Sequence, residues 1–357
     1  MLLLVMAAGC TEKEGIDDDL SFLNTAATTK VDKIFDISND NSGNVKITPF
    51  GEGVSSYTVN FGHGTGASAS AVVMPGNSAT HAYPEGDYTV NIVAKDLAGK
   101  ETSTSYPLKV TYRAPEKVNI KIDSDMRVSA TADYAKSFMV YYGDVANETG
   151  TPLAVGQTLP AHVYPAGTTT PYTLRVVALS GGAATTTATR ALFGLPIDFE
   201  TAAVDYFFGT FGNVIFSKVA NPSATGINTS AMVGKYEKPN GAETWSGTYS
   251  PLNIPINMAY GKVIKVMVYN PSPTNIGKLL NVELEAAVTG TGATANGVGV
   301  LKAPITKSGE WEELVFDFKT IAAIPGTARF NQLVLRFNEV AKGAGEVIYL
   351  DNFRLTN

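Results

Sequence analysis

The sequence predicts an all-β protein built from two small β-sandwiches in series, followed by a larger sandwich. Apolar and polar residues alternate in runs such as residues 88–94 and 262–269, which is the period of a strand with one buried face. A pattern of strand, glycine turn and His-x-Tyr-Pro occurs twice, 81 positions apart. A chain of 357 residues is also long enough for several domains.

Composition and charge indicate a folded protein and argue against nucleic-acid binding. Apolar residues make up 44% and charged residues 17% of the chain, as in folded domains rather than disordered segments. The net charge of −6 argues against nucleic acid as a partner, because such proteins normally carry a basic face.

The N-terminus is an apolar run, MLLLVMAAGC, that ends at the only cysteine, Cys10, so no disulfide can form within the chain. Residues 1–10 are too few to span a membrane. They resemble the end of a bacterial lipoprotein signal, in which the cysteine of the lipobox is acylated. The acidic residues 11–29 form a tether that is similar to the surface-export signals of Bacteroidetes lipoproteins. These resemblances imply an outer-membrane, surface-exposed protein that touches the membrane only through a lipid on Cys10. An incidental cysteine and a plain solvated tether are the alternatives.

Residues 30–113 and 114–193 are predicted to be the two small sandwiches. Within them Gly62 and Gly143, His81 and His162, and Tyr83 and Tyr164 are each 81 positions apart. Seven or so short strands in about 80 residues suit an Ig-like sandwich. The His-x-Tyr strand that follows a glycine turn resembles PKD domains, although FGHG in the first copy departs from the Phe-Gly-Asp-Gly turn of that family.

The repeat assigns His81 and His162 a structural role. A histidine that recurs beside an aromatic residue in a copied module is better explained by a buried hydrogen bond than by catalysis. Both modules are therefore predicted to be spacers, and function is expected in residues 194–357.

Residues 194–357 are predicted to form a β-jelly-roll sandwich, because eight or more strand candidates follow one another there. The segment opens on IDFE and closes on VIYLDNFRLTN, and it contains residues 220–249 and 307–318 as long internal motifs. It resembles the jelly-roll carbohydrate-binding module at the C-terminus of Bacteroidetes surface lipoproteins and laminarinases. The resemblance implies binding of a polysaccharide, with a laminarin-type β-1,3-glucan favoured.

Sugar rings stack on aromatic side chains, so the two tryptophans are the first candidates for ligand binding. Trp245 shares its strand parity with Glu243 and Tyr249. That face belongs either to the core or to a groove, and the charged Glu243 favours the groove. Trp311 starts a strand whose other parity is apolar at Leu314, Phe316 and Phe318. This predicts a half-exposed Trp311 that lies beside the ligand or over the sandwich edge.

Three further candidates for ligand binding come from nearby segments. Phe208 belongs to the aromatic cluster at residues 206–211, which either flanks the groove or anchors a loop. Tyr236 and Lys235 precede the turn at PNGAE.

Asp198, Glu200 and Asp351 are candidate metal ligands, because the first and last strands of such a sandwich run side by side. Related carbohydrate-binding modules often hold a structural Ca²⁺ at this place, so the resemblance implies Ca²⁺ as a cofactor.

No catalytic pattern is recognised, and the protein is predicted not to be an enzyme. Glu283 and Glu285 lack the spacing of jelly-roll laminarinases and are interpreted as the solvated side of a strand. The resemblance implies a protein that presents polysaccharide to a TonB-dependent transporter complex and to glycoside hydrolases at the cell surface. A surface adhesin that binds a protein partner, or a degenerate glycosidase, are the alternatives.

Overall fold

The computed structural model describes residues 27–123, 126–165, 172–287 and 299–357. They divide into two compact units, one formed by the chain up to Arg113 with Ser180–Ala184, and one formed by Ala114–Leu179 with Thr185–Asn357. Cys10 and most of the acidic tether lie outside the described residues. The part that is described contains no helix of the length and hydropathy that crossing a membrane requires.

The first sandwich consists of two sheets, in the strand orders β1-β2-β5 and β4-β3-β6-β7. Its strands are β1 (Thr29–Ile37), β2 (Asn44–Glu52), β3 (Ser56–Asn60), β4 (Ser70–Val73), β5 (Ala79–Ala82), β6 (Gly86–Lys95) and β7 (Glu101–Val110). Alternate residues of a strand point to the same side, and in β6 the alternate residues Val90, Ile92 and Ala94 are fully buried in the core.

The second sandwich repeats this plan with the sheets β8-β9 and β11-β10-β12-β13. Its strands are β8 (Glu116–Ile122), β9 (Val128–Asp133), β10 (Ser137–Tyr141), β11 (Thr151–Ala154), β12 (Thr173–Leu179) and β13 (Thr185–Ala191). Leu174, Val176 and Ala178 of β12 are buried at the alternate positions, as the equivalent residues of β6 are.

The two repeated histidines pack as framework residues. The imidazole of His81 stacks on Phe61 with ring centroids 4.3 Å apart, and that of His162 stacks on Tyr142 at 3.7 Å. In both copies the tyrosine two residues later donates its hydroxyl hydrogen to the backbone oxygen of the stacked aromatic residue, at 3.0 and 3.1 Å. The repeat therefore preserves a packed corner of the sandwich.

The two small sandwiches differ in the side chain that contacts Nε2 of the repeated histidine. In the second copy the Asp144 carboxylate lies 2.8 Å from Nε2 of His162. The equivalent residue of the first copy is His63, whose Nδ1 lies 3.0 Å from Nε2 of His81. One imidazole of this pair has to accept a proton that the other donates, so the pair needs at least one neutral ring.

The His63–His81 pair predicts that the first sandwich loses stability in acid. Burial, and secondly the charge of His63, lower the pKa of His81 below its usual 6.5. The unfolded chain then binds more protons near that pH, so the contribution of His81 is complete above pH 6.5 and is lost as the pH falls. His63→Asp, which recreates the arrangement of the second copy, should reduce this loss.

Hydrogen exchange measured by mass spectrometry in peptides from β3 and β6 checks this prediction at pH 7.5 and 5.5, after correction for intrinsic rates. Tryptophan fluorescence is unsuitable, because both tryptophans belong to the third sandwich. Equal protection of the wild type at the two pH values would contradict the prediction.

The third sandwich has two five-stranded sheets, in the orders β14-β17-β22-β19-β20 and β15-β16-β23-β18-β21. Its strands are β14 (Gly209–Phe211), β15 (Ile215–Ala220), β16 (Met232–Lys238), β17 (Gly247–Asn257), β18 (Val263–Tyr269), β19 (Leu279–Ala287), β20 (Gly299–Pro304), β21 (Trp311–Asp317), β22 (Arg329–Phe337) and β23 (Glu346–Thr356). Successive strands pass repeatedly from one sheet to the other, as in a jelly roll. The all-β class is confirmed.

The core of the third sandwich lies between its two sheets and is rich in phenylalanine. Phe199, Phe316, Phe330, Phe337 and Phe353 are at most 1% exposed. The start and the end of the segment do run side by side, because Ile197 and Phe353 exchange backbone hydrogen bonds of 2.9 and 3.0 Å.

The second and third sandwiches meet at a tight junction within one compact unit. Leu192 packs in the core of the second sandwich, whereas the next residue, Phe193, packs in the core of the third. The backbone oxygen of Phe193 accepts hydrogen bonds from the amides of Asn253 and Ile254, and its amide donates to Oδ1 of Asn253. Ile254 in turn packs against the core of the second sandwich.

Candidate functional site

The outer face of the sheet β14-β17-β22-β19-β20, which we call the polar face, is the candidate site. The strand register places the following residues on it: Gly209 and Phe211 of β14; Gly247, Tyr249 and Pro251 of β17; Gln332, Val334 and Arg336 of β22; Asn281, Glu283 and Glu285 of β19; Val300 and Lys302 of β20. Directly paired residues lie on the same side of a sheet, so these side chains are neighbours.

The alternation of two strands produces this face. In β22 the apolar Leu333 and Leu335 point into the core, so Gln332 and Arg336 point outward. In β19 the inward residues are likewise apolar, and the three outward residues are polar or charged. Planar polar groups are therefore concentrated on the outer side of a sheet whose inner side is apolar.

Aromatic rings border one end of the polar face. Trp245, in the turn before β17, is 52% exposed, and Tyr249 is 36% exposed. The ring of Trp245 is parallel to that of Phe211 within 4°, with centroids 6.1 Å apart. Arg336 extends towards these rings, because its guanidinium carbon lies 5.5 Å from the centroid of Phe211.

Two glycines make room for these rings. A Cβ atom on Gly209 would lie 2.5 Å from ring carbons of Tyr249. A Cβ atom on Gly247 would lie 2.8 Å from the ring of Phe211 and 2.5 Å from the backbone oxygen of Leu335. The aromatic side chains can lie flat along the sheet because these two positions have no side chain.

The polar half of the face is an ion-paired network centred on Arg336. Its Nε lies 3.1 Å from Oε1 of Glu283, and its Nη1 lies 3.2 Å from Oε1 of Glu339. The other oxygen of Glu339 accepts hydrogen bonds from Asn281, at 2.7 Å, and from Lys302, at 2.8 Å. These contacts fix the planar groups before any ligand arrives.

Burial and charge act in opposite directions on the carboxyl groups of this network. Burial raises the pKa of Glu283, which is only 4% exposed, while Arg336 opposes that shift. The hydrogen bond from Lys302 is the main cause that lowers the pKa of Glu339. Glu285 lies further along the strand and accepts a hydrogen bond of 2.7 Å from Gln332.

Lys238 holds the loop that carries Glu339. Although its side chain is fully buried in the sandwich, its ammonium group donates hydrogen bonds to the backbone oxygens of Phe337, Asn338 and Ala341, at 3.1, 2.8 and 2.8 Å. A lysine is rarely buried unless its charge is satisfied in this way. The cation therefore fixes the loop at the edge of the polar face.

We predict that Lys238→Met lowers the free energy of unfolding by about 2–3 kcal/mol, because three backbone oxygens lose their donor. Urea unfolding followed by tryptophan fluorescence checks this, since both tryptophans are in the third sandwich. Lys342→Met is the matched control: its side chain is 65% exposed in the same loop and should change stability by less than about 0.5 kcal/mol. Equal losses in the two variants would contradict the role of Lys238.

The structure brings three of the predicted ligand-binding residues together. Trp245 and Tyr249 lie at the aromatic end of the polar face, and Glu243 stands beside them with a carboxylate oxygen 3.6 Å from the ammonium of Lys342. The groove interpretation of this stretch therefore agrees with the exposure of its aromatic residues. Trp245, however, precedes β17 and belongs to a turn rather than to the strand itself.

The expectation that Trp311 is half exposed is wrong. It is 4% exposed, and its indole nitrogen donates a hydrogen bond of 2.7 Å to the backbone oxygen of Ser223. Trp311 lies on β21 in the other sheet, and Ser223 belongs to the loop between β15 and β16. With so little of its surface exposed, the indole of Trp311 offers no open ring face for stacking.

Three other predicted residues lie away from the polar face. Tyr236 is fully buried and Phe208 is 9% exposed, and both belong to the core between the two sheets. Lys235 is on the outside of the opposite sheet, where its ammonium lies 2.9 Å from a carboxylate oxygen of Glu237. Glu283 also corrects the sequence interpretation, because it is buried in the Arg336 network instead of being solvated.

Sequence reasoning missed most of the polar half of the face. Gln332, Arg336 and Asn281 were not singled out, and Glu339 follows a strand end. The available signal was the period of two in residues 281–285, where polar residues alternate with valine and leucine, whereas in residues 332–336 only the two end positions are polar. That signal shows that a strand has a polar side, but it does not show that two such strands are neighbours.

The predicted metal ligand Asp351 is enclosed within the sandwich. It is fully buried, and its two oxygens accept hydrogen bonds from the side chain of Asn228 and from the amide of Asn352, at 2.8 and 2.7 Å. Burial raises the pKa of Asp351 to about 6. The nearby charge of Asp198 adds to the rise.

Asp198 and Glu200 are each engaged with protein groups. Oδ1 of Asp198 accepts a hydrogen bond of 2.8 Å from the hydroxyl of Tyr206, and Oε1 of Glu200 accepts one of 2.8 Å from the amide of Met232. Among the residues that the structure describes, no three His, Cys, Asp or Glu side chains converge as a metal site. The arrangement thus does not fit a ready-made calcium ligand set, and Ca²⁺ binding stays a prediction.

Metal analysis of the chain, purified without chelator, checks the calcium prediction. A stoichiometric calcium content that is lost in Asp198→Asn would support it. A chain that carries no calcium would remove it.

Comparison with known proteins gives distant similarities. No family model and no curated protein sequence matches the chain. Solved structures that resemble it include SGBP-B from a complex xyloglucan utilization locus in Bacteroides uniformis, with 11% identity, a TM-score of 0.31 and coverage of 92% of this chain and 99% of that one. Another is the family 11 carbohydrate-binding module of the cellulase Lic26A-Cel5E of Clostridium thermocellum, with 12% identity, a TM-score of 0.31 and coverage of 46% and 94%. These neighbours are carbohydrate-binding proteins, but TM-scores this low carry no argument about the present chain.

Proposed function

We propose that the third sandwich binds a neutral polysaccharide along the polar face and does not cleave it. The observation that carries the proposal is the pair of exposed rings, Trp245 and Tyr249, beside a fixed set of planar polar groups. Pyranose rings offer apolar faces to aromatic residues and hydroxyls to amides, carboxylates and guanidinium groups. The polar face supplies both kinds of partner on one surface.

The fixed network favours an extended ligand that needs little rearrangement of the protein. Arg336 is held between Glu283 and Glu339, and Gln332 is held by Glu285. Groups that are ordered before binding lose little conformational entropy when the ligand arrives. The face runs across five strands, which suits the interior of a polymer chain.

The charges of the face support a neutral ligand. The positive groups Arg336 and Lys302 are both engaged with carboxylates. Glu285 adds a further carboxylate at the end of the row. A polyanion would meet these carboxylates with repulsion, whereas sugar hydroxyls can donate to them.

A β-1,3-glucan such as laminarin is the favoured ligand. This choice is supported by the resemblance of the terminal strands and of residues 220–249 and 307–318 to laminarin-type modules. The contacts of the polar face support a sugar polymer as the chemical class of the ligand.

The carboxylates of the face argue for binding without hydrolysis. A glycosidase usually uses two carboxyl groups that flank the bond, one of them free to give a proton. Here Glu283 is buried against Arg336, and Glu285 is hydrogen-bonded to Gln332 on the same strand face. Both groups are engaged by the protein, and their spacing along β19 is not that of the jelly-roll laminarinases.

In the cell, we propose that Cys10 carries lipid and that the first two sandwiches act as spacers. The third sandwich would then present polysaccharide to a TonB-dependent transporter complex and to glycoside hydrolases on the outer membrane. The support is the lipobox-like sequence and the framework role of His81 and His162. An adhesin function, in which the polar face binds a protein, is the second outcome that the experiments below distinguish.

We predict that Trp245→Ala weakens polysaccharide binding by about 1–3 kcal/mol, the range found for aromatic stacking on planar rings. Isothermal titration calorimetry of the purified chain with laminarin measures the change. Phe50→Ala is the matched control, because Phe50 is an aromatic residue that is 45% exposed in the first sandwich. Wild-type affinity in Trp245→Ala would show that the polar face is not the site.

A panel of laminarin, mixed-linkage β-glucan, xylan and glycogen tests the ligand class by affinity electrophoresis, and we expect laminarin to be bound. Retardation by none of them would favour the adhesin. Release of reducing sugar that disappears in Glu283→Gln would favour the glycosidase.

A further inference from the structure

A cavity of about 700 Å³ lies apart from the polar face, within the compact unit of Ala114–Leu179 and Thr185–Asn357. His162 and Tyr164 of the second sandwich line one side of it. Asp198, Tyr260 and Arg354 of the third sandwich line the other. Pockets of this volume are common binding sites for small molecules, especially where two domains meet.

The walls of the cavity are fixed by contacts already made. His162 is held by stacking on Tyr142 and by the Asp144 carboxylate. The opposite wall is joined to the second sandwich through the hydrogen bonds of Phe193 with Asn253 and Ile254, and Ile254 itself lines the cavity. A preformed and rigid cavity binds a ligand with a small entropic loss.

The polar groups of the cavity are best satisfied by a ligand that both donates and accepts hydrogen bonds. Asp198 and Glu200 each commit one oxygen to the protein, at Tyr206 and at Met232, and as carboxylates they only accept. Arg354, by contrast, only donates. One of its terminal nitrogens contacts Glu313, whereas the other, Nη1, is buried without a hydrogen-bond partner among the described residues.

Hydroxyl groups satisfy both requirements, because each can accept from a guanidinium and donate to a carboxylate. The remaining lining is apolar or aromatic and includes Tyr260, which is 36% exposed, and Pro196, Pro255 and Leu355. Carboxylates, an arginine and an aromatic ring around one cavity form the same combination of partners that a sugar ring requires. The two carboxylates would repel a simple anion, and an apolar ligand would leave Nη1 of Arg354 without a hydrogen-bond partner.

We propose that this cavity is a second saccharide site, which takes the end of a chain or a short oligosaccharide. The inference rests on the proposed function for the ligand class, but its geometry is independent of the polar face. A cavity walled by two sandwiches suits a chain end, whereas the polar face is open across a sheet and suits a chain interior. Two sites in one compact unit would raise the avidity for a long polymer without any new contact.

The test removes each site separately in the purified chain, with EDTA present so that no metal bridges the ligand. Laminaritriose, cellotriose, xylotriose and maltotriose are the probes, and calorimetry gives the stoichiometry. The double variant Trp245→Ala/Tyr249→Ala disables the polar face. We expect it to keep one oligosaccharide site of unchanged affinity, and addition of Tyr260→Ala to weaken that site at least tenfold.

The outcomes separate the two proposals. If the wild type binds at a single site and the polar-face variant binds nothing, the cavity proposal is overturned and the proposed function stands. Residual binding that Tyr260→Ala leaves unchanged also overturns the cavity proposal, provided that thermal unfolding shows the variant to be folded. A wild type that binds neither these probes nor the polysaccharide panel overturns both.

Discussion

The register of β22 between β17 and β19 is the constraint on which the candidate site depends. It places Arg336 beside Gly247 on one side and Asn281 on the other, and Gln332 beside Glu285. A shift of one residue would turn these polar groups into the core and expose Leu333 and Leu335. The burial of those leucines therefore holds the polar face in place.

Around this strand the site is arranged so that few of its groups have to move. Glycines at 209 and 247 let Tyr249 and Phe211 lie against the sheet, and buried Lys238 fixes the loop that carries Glu339. The result is a rigid surface with an apolar end and a polar end. Such a surface discriminates by hydrogen-bond geometry, since its polar groups already have defined positions.

The repeated sandwiches show how a module can keep its frame while one position changes. His81 and His162 stack on equivalent aromatic rings, yet one faces His63 and the other faces Asp144. Both copies keep the ring on which the histidine stacks and the hydrogen bond that the following tyrosine donates to the backbone of that residue. The second copy also contributes a wall to a cavity with the third sandwich, which the repeat pattern does not reveal.

The sequence by itself determined the all-β class, because alternation along a strand is a local property. For Trp245 it left a core face and a groove open, and the charged Glu243 favoured the groove. Only the tertiary structure decided which strands are neighbours, and hence that Arg336, Glu283 and Asn281 form one network. Trp311 is a second example: its strand parity suggests partial exposure, but in the folded chain it is buried and bonded to the backbone of Ser223. Parity tells which side of a strand a residue occupies, whereas burial depends on what the rest of the chain places on that side.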